Sequence, residues 1–161
     1  MNRINRKVEY ALMALKFMSG KYAGQLTTVK EICDATGSPF DATARVMQVM
    51  VHHKLLQSEQ GAHGGYLLIK DLNKVSFFEL VEMILGPLGI TKCLHSSECD
   101  LIETCNVLPT VSVLNNRLAE FYKSLTLAEL LQLDQREVKS TPQATNQDRK
   151  STRLNSSHVS Q

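Results

Sequence analysis

With 161 residues, 18 Lys and Arg and 16 Asp and Glu, the chain is long enough to bury the core of one domain and sits near neutrality. No apolar run approaches the ~20 residues of a membrane span, and the first ten residues, MNRINRKVEY, lack the apolar heart of a secretion signal. Those absences predict a cytoplasmic protein with no membrane partner, in a reducing compartment where its four cysteines suit metal or thiol chemistry better than disulfides.

The near-neutral total hides a split. Residues 1–74 carry ten Lys or Arg against six acids, net +4, whereas 75–147 carry five against nine, net −4. A basic front half favours a polyanionic partner. The remaining charge lies in the last stretch, where DRKSTRLNSSH (148–158) resembles the in-frame translation of a sequencing-library adapter. The Ser, Asn, Gln and Lys content of 134–161 predicts a disordered tail.

From the start, Val8, Ala11, Leu12, Leu15 and Met18 repeat at helical spacing and predict an amphipathic helix over 6–19, ended at Gly20. Thr28-Val-Lys-Glu31 is a capping box, in which hydroxyl and carboxylate satisfy each other's exposed backbone N–H groups. It opens a short helix that Gly37 stops. Ser38-Pro39-Phe40-Asp41 restarts a helix at once, with Ser38 as N-cap, Pro39 at the first helical position and Val46, Met47 and Met50 facing inward to about His53. Two helices around a tight glycine turn form a helix-turn-helix pattern. LLQSEQ (55–60) and YLLIK (66–70) then bracket GAHGG as two strands of a hairpin, which makes a wing.

Residues 1–74 therefore read as a winged helix-turn-helix, and 75–133 as a second unit of helices around a cysteine loop. VSFFELVEMIL (75–85) predicts a helix stopped by Gly86-Pro87. From Pro109 a long helix carries Val111, Leu114, Leu118, Phe121 and Leu125 at spacings of three and four, a seam suited to a partner helix. Thr126-Leu-Ala-Glu129 is a further capping box opening a leucine-rich helix to Leu133. The fold class is mainly α with a small β wing.

Between those helices Cys93, Cys99 and Cys105 stand with five residues between each pair. Thiolates are soft ligands that suit iron–sulfur clusters, zinc or copper(I). Three are one short of the usual four, and His95 and Asp100 inside the loop are candidates for the fourth. Cys33, beside Ile32 and Ala35, reads as a small core residue.

The order VEYALMAL, TGSPFDATARVMQ, GAHGGYLL, FELVEMILGPL and then C-x5-C-x5-C resembles the IscR/NsrR-type family of bacterial winged-helix regulators that carry an iron–sulfur cluster, over nearly all of 8–133. The resemblance implies a homodimer formed through the long helix, a double-stranded DNA operator, and a [2Fe-2S] or [4Fe-4S] cluster on Cys93, Cys99 and Cys105. The IscR branch adds a His three residues after the last Cys, where this chain has Leu108. Glu9 instead falls where the NsrR branch places a carboxylate supplied across the dimer, which tilts the likeness to that branch and to nitric oxide as signal.

For base and phosphate contact the expected set is Thr28, Ser38, Phe40, Asp41, Thr43 and Arg45 near the start of the third helix, with Gln60 and His63 of the wing at the minor groove. Phe40 has two readings, a thymine-methyl contact or a core-closing ring. Gln60 stands where the family often has Arg. No nucleophile signature is present, and GAHGG lacks the Lys-Ser/Thr of a phosphate-binding loop, so no enzyme is expected. The expected function is a homodimeric, cluster-controlled DNA-binding repressor. The alternatives are a cluster-free or zinc-bearing thiol-switch regulator, a small iron–sulfur redox protein, and a protein-interaction module.

Overall fold

The structure, a computed structural model, describes residues 4–133 apart from 23, 62, 90, 92, 93 and 95–98. Cys93, His95 and the whole segment 134–161 therefore lie outside the described residues.

Helix α1 (Arg6–Ser19) starts on Asn5, whose side chain accepts from the Lys7 N–H, and buries Val8, Ala11, Ala14, Leu15 and Met18 as one stripe. Helix α2 (Val29–Thr36) has both halves of the Thr28–Glu31 capping box and ends on Gly37 at φ 72°, the left-handed conformation that glycine adopts without penalty. Helix α3 is Phe40–His52. Strands β1 (Leu56–Glu59) and β2 (Gly65–Leu68) pair antiparallel, Leu56 opposite Leu68 through to Glu59 opposite Gly65.

Thr27 adds a one-residue bridge to the free side of β2, exchanging both backbone hydrogen bonds with Tyr66 at 2.8 and 2.9 Å. That bond pair ties the wing to the start of α2. It needs glycine next door, since a Cβ on Gly65 would come within 3.0 Å of the Thr27 carbonyl oxygen. Tyr66 turns back to pack on the core.

After a 3-10 turn at Leu72–Lys74 come α4 (Phe77–Leu85), α5 (Leu108–Ser124) and α6 (Leu127–Leu133). Helix α4 begins at Phe77 rather than Val75 because Ser76 and Glu79 form a complete capping box. It packs on both α1 and α3 as well as on α5. The entrances of α4 and α6 are fastened together, with Phe77 N–H donating to Leu125 C=O and Leu127 N–H to Val75 C=O, each at 2.8 Å. Tyr122 meets Phe77 edge-on at 4.9 Å, and the Lys123 ammonium lies over the Phe78 ring. The α4–α5 pair is thus latched at its base, with the cysteine loop at its far end. No residue of α5 is buried; Leu114 and Phe121 of the expected seam are 60% and 56% exposed.

The start of α3 differs from expectation. Pro39, not Ser38, is the N-cap, and it supplies no side-chain cap bond. The Ser38 hydroxyl faces inward, accepting from Thr43 at 2.9 Å and donating to the Cys33 sulfur at 3.7 Å. A nearby apolar interior makes a satisfied hydroxyl chain more favourable than a solvent-facing cap. Cys33 itself is half-buried and packs against the core.

The end of α3 closes in a way the residues His52-His53-Lys54 do not advertise. Lys54 sits at φ 57°, its N–H bonds to Val51 C=O, and Leu55 N–H reaches back to Met50 C=O, both at 2.9 Å. This is a Schellman closure with lysine at the position that normally takes glycine. Lys54→Gly removes the left-handed strain, of ~1–2 kcal/mol, but adds chain entropy to the unfolded state. The expected outcome is a rise in urea stability of up to ~1 kcal/mol with an unchanged slope; a loss of stability would show that the lysine side chain holds the turn.

Candidate DNA-reading face and cysteine loop

The rotation of α3 decides which of its side chains can meet DNA. At 100° per residue, the buried Thr43, Val46, Met47 and Met50 occupy one arc of about 100°. Asp41, Arg45, Gln48 and His52 fall within about 60° on the opposite side, and all four are exposed. Asp41 and Arg45 thus stand on one solvent-facing stripe, as the sequence suggested.

Thr43 and Ser38 do not join them. Thr43 is fully buried with its hydroxyl committed to Ser38, which is itself 7% exposed. Neither side chain reaches a base edge, and both are withdrawn from the contact set. The expectation placed them by nearness to the helix start; it took no account of the inward meridian that Thr43 shares with Met47 and Met50. Gln48 and His52 were passed over, although counting three and then four more residues on from Arg45 finds them.

Phe40 is 56% exposed, which removes its core-closing reading. It flanks the stripe and borders a groove of ≈ 630 Å³ between the two ends of the motif, shared with Thr28, Lys30, Gln48 and wing residues Gln60 and Gly61. Gln60 and His63 are exposed on the wing. Gly64 lets the wing close, because a side chain there would strike the Glu59 carbonyl oxygen.

At the opening of α2, Glu31 accepts from the Thr28 N–H at 2.7 Å, and its other oxygen takes the Lys21 ammonium at 3.0 Å. The Thr28 backbone N–H, then Lys21, holds the Glu31 carboxyl below its ordinary value. Thr28 is exposed, with its hydroxyl already turned to Glu31 at 3.0 Å.

The cysteine loop runs between α4 and α5. Cys99 and Cys105 are free and, like Cys33, only partly exposed, and tight turns separate them, with Ile102 N–H on Cys99 C=O and Thr104 N–H on Leu101 C=O. Asp100 is exposed beside Cys99, and Leu108 is the first residue of α5. Glu9 lies in the first turn of α1, one-third exposed and 3.2 Å from Arg6. Accessible thiols on irregular backbone fit a soft metal centre: no disulfide, helix or core packing has to be broken to use Cys99 and Cys105. Among the described residues no three His, Cys, Asp or Glu groups converge, and the first cysteine of the motif lies outside them.

Against this geometry, the model of the Rrf2 family, "Iron-dependent Transcriptional regulator", matches residues 4–133. The chain belongs to that family, whose members are transcriptional regulators rather than enzymes. It is 24% identical over 129 residues to the HTH-type transcriptional regulator IscR of Sodalis glossinidius, covering 80% of this chain and 78% of the relative. Among solved structures, CymR, the global cysteine regulator of B. subtilis, superposes with a TM-score of 0.64 at 18% identity over 83% of this chain and 98% of its own. T. potens IscR gives 0.61 at 21% identity over 87% and 93%. At these identities the structural likeness carries the winged-helix fold alone. The protein is a DNA-binding winged-helix transcriptional regulator.

A carboxylate that its partners favour in the folded state stabilises the fold above its unfolded pKa and stops doing so as pH falls through the folded value. For Glu31 the contribution is present at neutral pH and is lost below about its ordinary 4.5. Urea midpoints of the native chain and Glu31→Gln should therefore differ most at pH 7 and converge on acidification below that point. A gap that stays constant down to pH 3 would mean that the charge on Glu31 is irrelevant.

Proposed function

We propose that the protein is a homodimeric repressor whose operator affinity is governed by an iron–sulfur cluster, [2Fe-2S] or [4Fe-4S], held by Cys93, Cys99 and Cys105. Glu9 of the partner subunit would complete the ligand set, in the NsrR-like manner. The observation that carries this reading is the setting of Cys99 and Cys105: free, accessible thiols at the tip of an α4–α5 pair whose α4 bears directly on α1 and α3.

When bound, such a cluster supplies a centre that reacts with nitric oxide or oxidants and responds to iron–sulfur status. A carboxylate oxygen is a hard ligand poorly matched to that iron, so Glu9 is the ligand most readily displaced. A shift of the loop passes to α4, and α4 presses on the helix that reads DNA. The uncovered α5 seam, with Leu114 and Phe121, supplies the apolar surface that a second copy covers. Two recognition helices related by a twofold axis call for an operator of two half-sites on one face of the duplex.

On DNA, Arg45 suits a guanine, Asp41 a cytosine amino group and Phe40 a thymine methyl. Thr28 and the wing residues Gln60 and His63 meet backbone and minor groove. A second reading, a thiol switch without a cluster, is favoured by the same accessibility of Cys99 and Cys105.

Oxygen-free purification of the full chain should give a coloured protein with matching iron and acid-labile sulfide, which Cys99→Ser abolishes and nitric oxide bleaches. Glu9→Ala should keep colour but lose it faster to oxidants. A colourless protein holding zinc, or no metal after reconstitution, would remove the cluster and leave the thiol switch. Separately, Arg45→Ala should cost about 5–150-fold in affinity for the operator and lower the salt slope of binding by about one. Unchanged selectivity would exclude Arg45 from base reading.

A further inference from the structure

Gln48 has no role in the reading above, and its position gives it one. It lies on the exposed arc of α3, about 20° from the meridian of Asp41 and about 60° from that of Arg45, on the far side of the helix from the fully buried Met50. Its side chain also borders the groove that α3 shares with Phe40, Lys30 and the wing residues Gln60 and Gly61. Two independent features, helix phase and groove lining, therefore point Gln48 at whatever α3 and the wing grasp together.

We infer that Gln48 is a specificity-determining residue that reads an adenine in each operator half-site. The chemistry follows from the side chain: a carboxamide has an acceptor and a donor side by side, matching the N6 donor and N7 acceptor that adenine presents in the major groove. The spacing fits as well. At a 1.5 Å rise, Asp41 to Arg45 spans about 6 Å and Arg45 to Gln48 about 4.5 Å. Asp41 to Gln48 spans ~10 Å in all, close to three base-pair steps of ~3.4 Å. Asp41, Arg45 and Gln48 then address successive parts of one half-site as cytosine, guanine and adenine readers. Gln48 is exposed, so truncating it leaves the buried arc of α3 untouched.

The inference rests on the DNA-reading face proposed above, and the test separates the two. The full chain and its variants are each used to select duplexes from a randomised pool, and the base preference is scored at every position. The native protein should return a twofold-related motif with an adenine in each half. Gln48→Ala should lose about tenfold in preference at that position alone, with the remaining positions and the salt slope unchanged. Gln48→Glu should move the preference at that position toward cytosine, because a carboxylate accepts from cytosine N4 and not from adenine N7. That change of letter is one that a merely structural role would not produce.

If the native protein selects a motif and Gln48→Ala selects the identical one, the inference is overturned and the DNA-reading face stands. The same holds if Gln48→Ala weakens every sequence equally, which would make Gln48 a backbone contact. If the native protein selects no motif at all while still folding, the reading face itself is wrong and Gln48 falls with it.

Discussion

The DNA-reading side of this protein depends on one constraint, the burial of a single arc of α3. Met47 and Met50 have no exposed surface and Val46 has almost none. Truncating a methionine in such a setting to alanine costs ~2–5 kcal/mol, so rotation of the helix about its axis is expensive. The opposite arc is thereby presented to solvent as a fixed row. The Thr43 hydroxyl would be a liability in that interior, but it is satisfied by Ser38, which also pins the turn leading into the helix. The orientation of that exposed row is therefore set by packing on the opposite face of the helix.

The second unit depends on the same helix indirectly. Helix α4 touches both α1 and α3, and its entrance is hydrogen-bonded to that of α6. The cysteine loop hangs from the other end of α4, beyond Gly86, whose N–H still closes on Glu82 C=O. The loop is therefore joined to α3 through a single helix. The net positive charge of residues 1–74 and the net negative charge of 75–147 follow the same division.

How much of this was legible in the sequence depended on whether the signal was local. The Thr28–Glu31 box, the Gly37 stop, the wing and the helix that ends at Gly86 are short-range chemistry, and each stands where the residues placed it. The Ser76–Glu79 box has the same local signature and was simply overlooked beside the apolar run that follows it. Ser38 misled for a different reason: Ser-Pro at a helix start favours a cap, but tertiary burial recruited the hydroxyl inward. Thr43 was misplaced and Gln48 passed over for one reason: helix phase, not closeness to the N-terminus, decides which side chains of α3 face solvent. Nothing in His53-Lys54 signals a left-handed residue, because lysine there is a strained choice that the Met50–Leu55 closure imposes. The fold-level likeness that the cysteine and winged-helix motifs suggested is borne out by membership of the Rrf2 family.

The latch between Ser76 and Thr126 has an evolutionary implication. The bridge joins the entrance of α4 to the exit of α5, so the segment linking the far ends of those two helices is a loop whose two arms are clamped at their base. The entropy of closing such a loop grows only with the logarithm of its length, about 0.6 kcal/mol per doubling. Residues at its tip can accordingly be lengthened or shortened at little cost to the stability of the winged helix below. One DNA-binding body can in this way carry a succession of different chemical receptors.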